Sequence, residues 1–255
     1  LKRKAGLMVH PLQKLINGFE RFRSEGIDDP HLFSRLLEDG QKPEVMVIGC
    51  ADSRVDPGVV TSCKPGELFI LRNVAAIVPP YGPDEQPHAA SAAIEFGVRR
   101  LGVKHILVLG HQACGGIRAL AEGTVGLEFM APWVGVMDDA RRIVAGSGLE
   151  PEAQLLLLEQ AAVLGSLRNL LTFPWIEQRV VRGELTLHGW WFNLAEGRPM
   201  AFDPLHQRFV PLSDTIRPID HRVDVTATGR AAPLSLEGFV ARAVEDAGMA
   251  PFPGA

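Results

Sequence analysis

No apolar stretch in these 255 residues reaches the roughly 18 positions a membrane-spanning helix needs, which argues against a helical membrane span. Charge of one sign is not in excess either. The 26 basic residues face 30 acidic ones, for a net charge of −4 with histidine neutral. That balance argues against nucleic acid or an anionic membrane as the main partner. There is no charge block and no internal repeat. Cysteine is scarce: Cys50, Cys63 and Cys114 are the three. An odd, sparse set makes no disulfide framework. The start, Leu1 to Val9, is basic and then briefly apolar. It lacks the longer apolar region and small-residue cleavage site of a signal peptide, so a cytoplasmic location is expected.

What is present concentrates in two stretches. Val45-Met-Val-Ile-Gly-Cys50 begins as an apolar, β-branched run with the length of a buried strand. It gives way to Cys50-Ala-Asp52-Ser-Arg54, a thiol, a carboxylate and a guanidinium at alternating positions. The carboxyl end of a strand in an α/β sheet is where ligands and chemistry collect. The design repeats downstream, where His105-Ile-Leu-Val-Leu109 runs into Gly110-His111-Gln-Ala-Cys114-Gly115-Gly116.

Cys50, His111 and Cys114 together offer two thiolates and one imidazole, donor types that zinc takes tetrahedrally. A structural zinc site closes all four positions with protein; three ligands leave one for water. One zinc ion per chain is expected. The H-x-x-C spacing sets His111 and Cys114 on adjacent points of a tight turn, and Gly115 and Gly116 let the backbone approach an ion or ligand. Cys63, in the loop Thr61-Ser-Cys63-Lys-Pro, reads as a plain thiol. A thiolate metal site also suits a reducing compartment. Asp52 lies two residues from Cys50, on the same side of the strand end, placed to accept a hydrogen bond from zinc-bound hydroxide. Arg54 can grip that carboxylate with two parallel bonds, keeping it ionised and off the metal.

The motifs Cys50-Ala-Asp52-Ser-Arg54 and His111-Gln-Ala-Cys114-Gly-Gly resemble those of the β-class carbonic anhydrases. Gly66-Glu-Leu-Phe69-Ile-Leu-Arg72-Asn73-Val74-Ala75 between them fits as well, and the resemblance spans roughly residues 10 to 212. It implies zinc-dependent, reversible hydration of carbon dioxide to bicarbonate and a proton, by attack of zinc-bound hydroxide on CO2. It assigns Phe69, Val74 and Phe96 to the CO2 pocket, Gln41 to a hydrogen bond with bicarbonate, and Gly115 to the same substrate-binding group. Many relatives have tyrosine where this chain has Phe96, so one hydroxyl contact is missing. A homodimer or homotetramer is implied, with the N-terminal helical arm packed on a neighbouring subunit.

Gln41 and Pro79-Pro80-Tyr81 resemble the open-site, plant-like subgroup. Other relatives hold a second, inhibitory bicarbonate with a tryptophan, an arginine and a tyrosine. Here Val47, Arg72 and Phe192 match those positions, so two of the three polar anchors are absent. Two alternatives stay open on sequence grounds: a hydrolase of carbon disulfide or carbonyl sulfide on the same scaffold, and a zinc-stabilised binding protein in which Asp52 is a fourth ligand.

Read in order, the chain predicts a helix over 11 to 25, with Leu12, Leu15, Ile16 and Phe19 as its apolar stripe and Gly26 as its stop. A second helix is expected from Asp29-Pro30, buried through Leu32, Phe33, Leu36 and Leu37. Strands follow at 45 to 50, 68 to 71 and 105 to 109, with a helix from His88 to Leu101 between the last two. A helix continues from Gly116 to about Glu122. Pro151 to Leu171 is a long helix, apolar nearly all round, which points to a subunit interface as well as a core. Leu185 to Leu194 is the last strong strand. The fold class is α/β, with a mostly parallel central sheet flanked by helices. Residues 1–212 read as the zinc domain, with a helical arm at about 10–40 and an α/β core at about 44–212. Residues 213–255 read as a linker and one helix, Leu234 to Ala247, capped by Ser235 and expected to brace a dimer.

Overall fold

Two compact units divide the chain, Leu1–Lys42 and Pro43–Ala255. The computed structural model describes residues 10–25, 29–212 and 234–248. The first unit holds α1 (Pro11–Glu25) and α2 (Leu32–Asp39). Pro11 opens α1, where its missing N–H costs nothing; the expected stop at Gly26 lies outside the described residues. Leu12, Leu15, Ile16 and Phe19 do share a face of α1, but that face is exposed, Leu15 to 68 %. α2 begins later than the Asp29-Pro30 pair indicated. The Asp29 carboxylate accepts from the His31 backbone N–H at 2.9 Å and pairs with Arg35, so it closes a turn before the helix instead of capping it. No residue of α2 is buried, and Leu37 is 85 % exposed, so the expected buried face is an open apolar stripe.

The second unit carries β1 (Val45–Cys50), α3 (Pro57–Val60), β2 (Leu68–Asn73), α4 (Ala89–Glu95), β3 (His105–His111) and α5 (Gly115–Glu122). It continues with α6 (Met130–Val134), α7 (Asp138–Ala145), α8 (Pro151–Leu170) and α9 (Pro174–Val181). The chain then forms β4 (Thr186–Asn193), β5 (Arg198–Asp203), β6 (Arg208–Pro211) and α10 (Leu236–Asp246). The six strands make one sheet in the order β2-β1-β3-β4-β5-β6. The first four are parallel; β5 and β6 add on antiparallel. β1 and β3 are buried along almost their whole length, which is why they read as unbroken apolar runs. The sequence reading stopped at β4 because β5 and β6 are short and only partly buried, and carry no such run.

The helix expected over His88 to Leu101 is α4 followed by a wider π-helical turn, Phe96–Leu101, ended by Gly102 at φ 73°. α8 lies against β3 and β4 as part of the core, with Leu157, Leu158, Leu164, Leu167 and Leu170 buried. Much of the apolar surface that pointed to a subunit interface is therefore covered by the chain itself. Two glycines let α8 come close. A Cβ on Gly110 would stand 2.6 Å from Val163 Cγ2, and one on Gly189 2.8 Å from Leu167 Cδ1.

Ser235 caps α10 as expected, its Oγ accepting from the Gly238 N–H at 3.0 Å. Phe239 of α10 meets Phe202 and Phe209, and Val240 and Val244 are buried. The apolar face of the tail helix is thus used on its own unit, not held out as a dimer brace. The linker expected after residue 213 lies outside the described residues. No helix among the described residues is long and apolar enough to cross a membrane.

Candidate metal centre

β1 pairs with β2 on one side and β3 on the other, so the chain crosses over β1 between them. Such a switch of direction opens a crevice at the carboxyl ends of the strands. Cys50 is the last residue of β1 and His111 the last of β3. Cys114 follows three residues on, just before α5. The three ligand atoms lie within 4.8 Å of one another, and all three residues are buried. They are placed to bind a metal ion.

The hydrogen bonds around them favour a cation. His111 Nδ1 stands 2.9 Å from the Gln112 carbonyl, which can only accept, so the proton is on Nδ1. Nε2 is then a bare lone pair, buried and without a hydrogen-bond partner. The Cys50 and Cys114 sulfurs are 4.0 Å apart. Backbone N–H groups of Asp52 and Ala75 donate to Cys50 Sγ at 3.4 and 3.3 Å. Ala75, which supplies the second of these, sits at φ 65°. The bond from Cys114 holds Cys50 down to about 4, and the same bond together with burial pushes Cys114 up. A soft divalent cation would let both ionise, and two thiolates with one neutral imidazole are a donor set that fits one.

Asp52 and Arg54 meet as the sequence indicated. Arg54 Nε donates to Asp52 Oδ1 at 2.9 Å and Nη2 to Oδ2 at 2.7 Å. Those bonds hold the carboxyl well below the usual carboxylate range. Asp52 Oδ2 lies 3.9 Å from His111 Nε2, beside the ligand cluster.

Arg72 braces the loop between the two motif residues and α3. Its guanidinium donates to the Cys50 carbonyl (2.9 Å), the Asp52 carbonyl (2.7 Å), the Val55 carbonyl (3.3 Å) and the Asp56 carboxylate (2.6 Å). Val47, by contrast, sits in an apolar cluster with Val55, Leu107 and Leu109, against which Phe192 packs.

The proposed substrate residues are not all brought together. Val74 is next to Ala75, whose N–H reaches Cys50, and its carbonyl accepts from Trp133 Nε1 at 2.8 Å. A Cβ on Gly116 would stand 2.7 Å from Val74 Cγ1, whereas Gly115 faces open space. Phe69 and Phe96 pair with each other, ring centroids 5.9 Å apart. Phe69 is level with Met46, four rungs down the strand pair from Cys50 and Asn73. At ~3.3 Å per residue that is about 13 Å from the ligands of its own chain. Gln41 belongs to the first unit.

One residue escaped the sequence reading. Glu159 of α8 is only 4 % exposed, and its carboxylate accepts from the Cys114 N–H at 3.1 Å. Burial raises its pKa. The signal was available: a lone acid within the apolar stretch of α8.

Fold and site define an α/β protein with a Cys-His-Cys group placed to bind a metal at the crossover of a mostly parallel sheet. The profile of the Carbonic anhydrase family matches residues 45–199. A carbonic anhydrase of Synechocystis sp. is 33 % identical over 235 residues, covering 89 % of this chain and 84 % of that one. The solved structure of the β-carbonic anhydrase CcaA superposes with a TM-score of 0.75 at 35 % identity, over 81 % of this chain and 94 % of that one. A tetrameric β-carbonic anhydrase of the ascomycete Sordaria macrospora gives 0.64 at 29 %, over 74 % and 94 %. The chain belongs to the β-class carbonic anhydrase family and is an enzyme of that family.

Proposed function

We propose that the chain catalyses the reversible hydration of carbon dioxide to bicarbonate and a proton with one zinc ion, held by Cys50, His111 and Cys114. The observation that carries this reading is the buried, unpartnered Nε2 of His111 facing two thiols beside an Asp52 locked by Arg54. A bound zinc ion supplies hydroxide at neutral pH, by lowering the pKa of water from 15.7 to about 7. Asp52, ionised and fixed by Arg54, is placed to accept a hydrogen bond from a hydroxide that a metal would supply there and to orient it toward the substrate. Arg54 keeps that carboxylate from swinging onto the ligands. Val74 gives the small apolar substrate an apolar wall.

Phe69 stands four rungs from its own centre, with Phe96 against it. With Gln41 and Gly115 they complete the substrate site if a second copy brings its pair to this one. An assembly of that kind agrees with the exposed stripes of α1 and α2 and with the tetrameric relative. Dimer or tetramer, the protein works in the cytoplasm, where its three free cysteines stay reduced.

The test is Cys50→Ala with metal analysis and stopped-flow carbon dioxide hydration. Wild-type protein is expected to carry one zinc per chain, and the variant to lose metal and activity together. Full zinc occupancy in the variant would remove the assignment.

A further inference from the structure

We propose that Glu159 is a positioning residue for the metal centre: with Arg54 it clamps the Ala113–Cys114 peptide from opposite sides and so sets where the Cys114 sulfur stands. The proposal rests on the zinc reading above. A trans peptide points its C=O and N–H in opposite directions. Here the Ala113 carbonyl accepts from Arg54 Nη2 at 3.0 Å, and the Cys114 N–H of the same peptide donates to Glu159 Oε1 at 3.1 Å. One bond comes from the exposed guanidinium that also holds Asp52. The other comes from a carboxylate buried in the helix layer.

The clamp has something to oppose. Ala113 sits at φ 56°, in the left-handed region that a residue with a Cβ avoids. Relieving that conformation means turning about the Ala113 N–Cα bond, which would carry the 113–114 peptide with it, turn the Cys114 N–H away and swing its side chain out of the ligand triangle. Both bonds oppose that movement, and the buried one to Glu159, shielded from water, opposes it more strongly than the exposed one from Arg54. Glu159 is within reach because Val163, one helical turn further on, rests on Gly110, the residue before His111. α8 is thereby pressed against the strand that carries the ligand.

A buried acid kept merely as filler would be replaceable by an apolar residue of similar shape, at no loss or even a gain in stability. A positioning role makes the opposite demand: an acceptor oxygen at that point, with charge secondary. The experiment compares Glu159→Gln, Glu159→Met and Glu159→Asp. Zinc affinity is measured by chelator competition, and the thiolate-to-metal absorption bands are read on cobalt-substituted protein. Thermal unfolding of the metal-free forms checks folding. The Met variant is expected to bind zinc 10–100-fold more weakly, in the range seen when a partner of a metal ligand is removed, with shifted thiolate bands. Gln should recover affinity to within about threefold of wild type, and Asp, one methylene short, should fall between. If Met prevents folding, Asp against Gln carries the comparison. Wild-type zinc affinity and unchanged bands in the Met variant, or in Asp where Met does not fold, would overturn the proposal. A wild-type protein that binds no zinc would instead sink the zinc reading itself.

Discussion

Arg54 holds Asp52 with three donors. Its backbone N–H and Nε both reach Oδ1 at 2.9 Å, and Nη2 reaches Oδ2 at 2.7 Å. The carboxylate is left with little freedom either to take up a proton or to turn onto the ligand cluster.

Arg54→Ala should therefore retain zinc, with only a modest loss of affinity because the bond it removes from the Ala113–Cys114 peptide is the exposed, weaker one and the buried Glu159 bond remains. Turnover should fall by about 10²-fold or more, the usual worth of a positioned proton acceptor. Metal content and stopped-flow rates on one preparation decide it. Near-normal turnover would reduce the pair to a structural salt bridge.

Arg72→Lys tests the brace behind the loop. Lysine keeps the charge but cannot reach three carbonyls and a carboxylate at once. Stability should drop by about 1–3 kcal/mol from the unpaired carbonyls, and turnover should drop with it while zinc stays bound. Urea unfolding and rate measurements are the readouts; a variant with wild-type stability would mean the four bonds are dispensable.

His188 makes acid stability measurable at a distance from the metal. Burial, helped by the charge of His105, lowers its pKa to about 4. Thr186 Oγ1 bridges the two imidazoles, 2.7 Å from His105 and 2.9 Å from His188. Between pH ~6.5 and ~4 the unfolded chain takes up a proton that the folded chain refuses, so stability falls as pH falls. From pH 7 to 5 the cost is at most about 2 kcal/mol. Metal-free wild type should lose more stability over that interval than His188→Gln, by up to that amount. Parallel losses in denaturant titrations would assign the acid sensitivity elsewhere.

Bicarbonate should not switch this enzyme off. Where relatives with that switch offer a tryptophan and a tyrosine, Val47 and Phe192 pack in an apolar cluster, and every Arg72 nitrogen already donates to the loop or to Asp56. An anion there would forgo hydrogen bonds worth roughly 1.5–3 kcal/mol each. Rate against bicarbonate concentration near pH 6 to 7 should decline only through product inhibition. A steep cooperative loss, or a crystal structure with Asp52 on the metal, would contradict this.

The strands and ligands were legible because they announce themselves locally. β1 and β3 are buried on both faces and read as apolar runs, and Cys50, His111 and Cys114 are chemically unlike their surroundings. The cap of α2 was misplaced because Asp29 has two local uses for its carboxylate, and sequence alone does not rank them. β5 and β6 were missed for want of an apolar run. Glu159 could be seen as odd in an apolar helix, but its target depends on which strand α8 crosses. The distance from Phe69 to Cys50 likewise depends on strand register, which the residues of β2 do not reveal by themselves.

The seating of α8 on Gly110 and Gly189 bears on where this sequence can vary. A Cβ on Gly110 must displace Val163, and through the rigid helix it would lift the carboxylate one turn away. The spacing between helix layer and sheet is thus a dimension of the metal centre, set by residues that touch neither ion nor substrate. Drift at those glycines would bear on the bond between the Glu159 carboxylate and the Cys114 N–H.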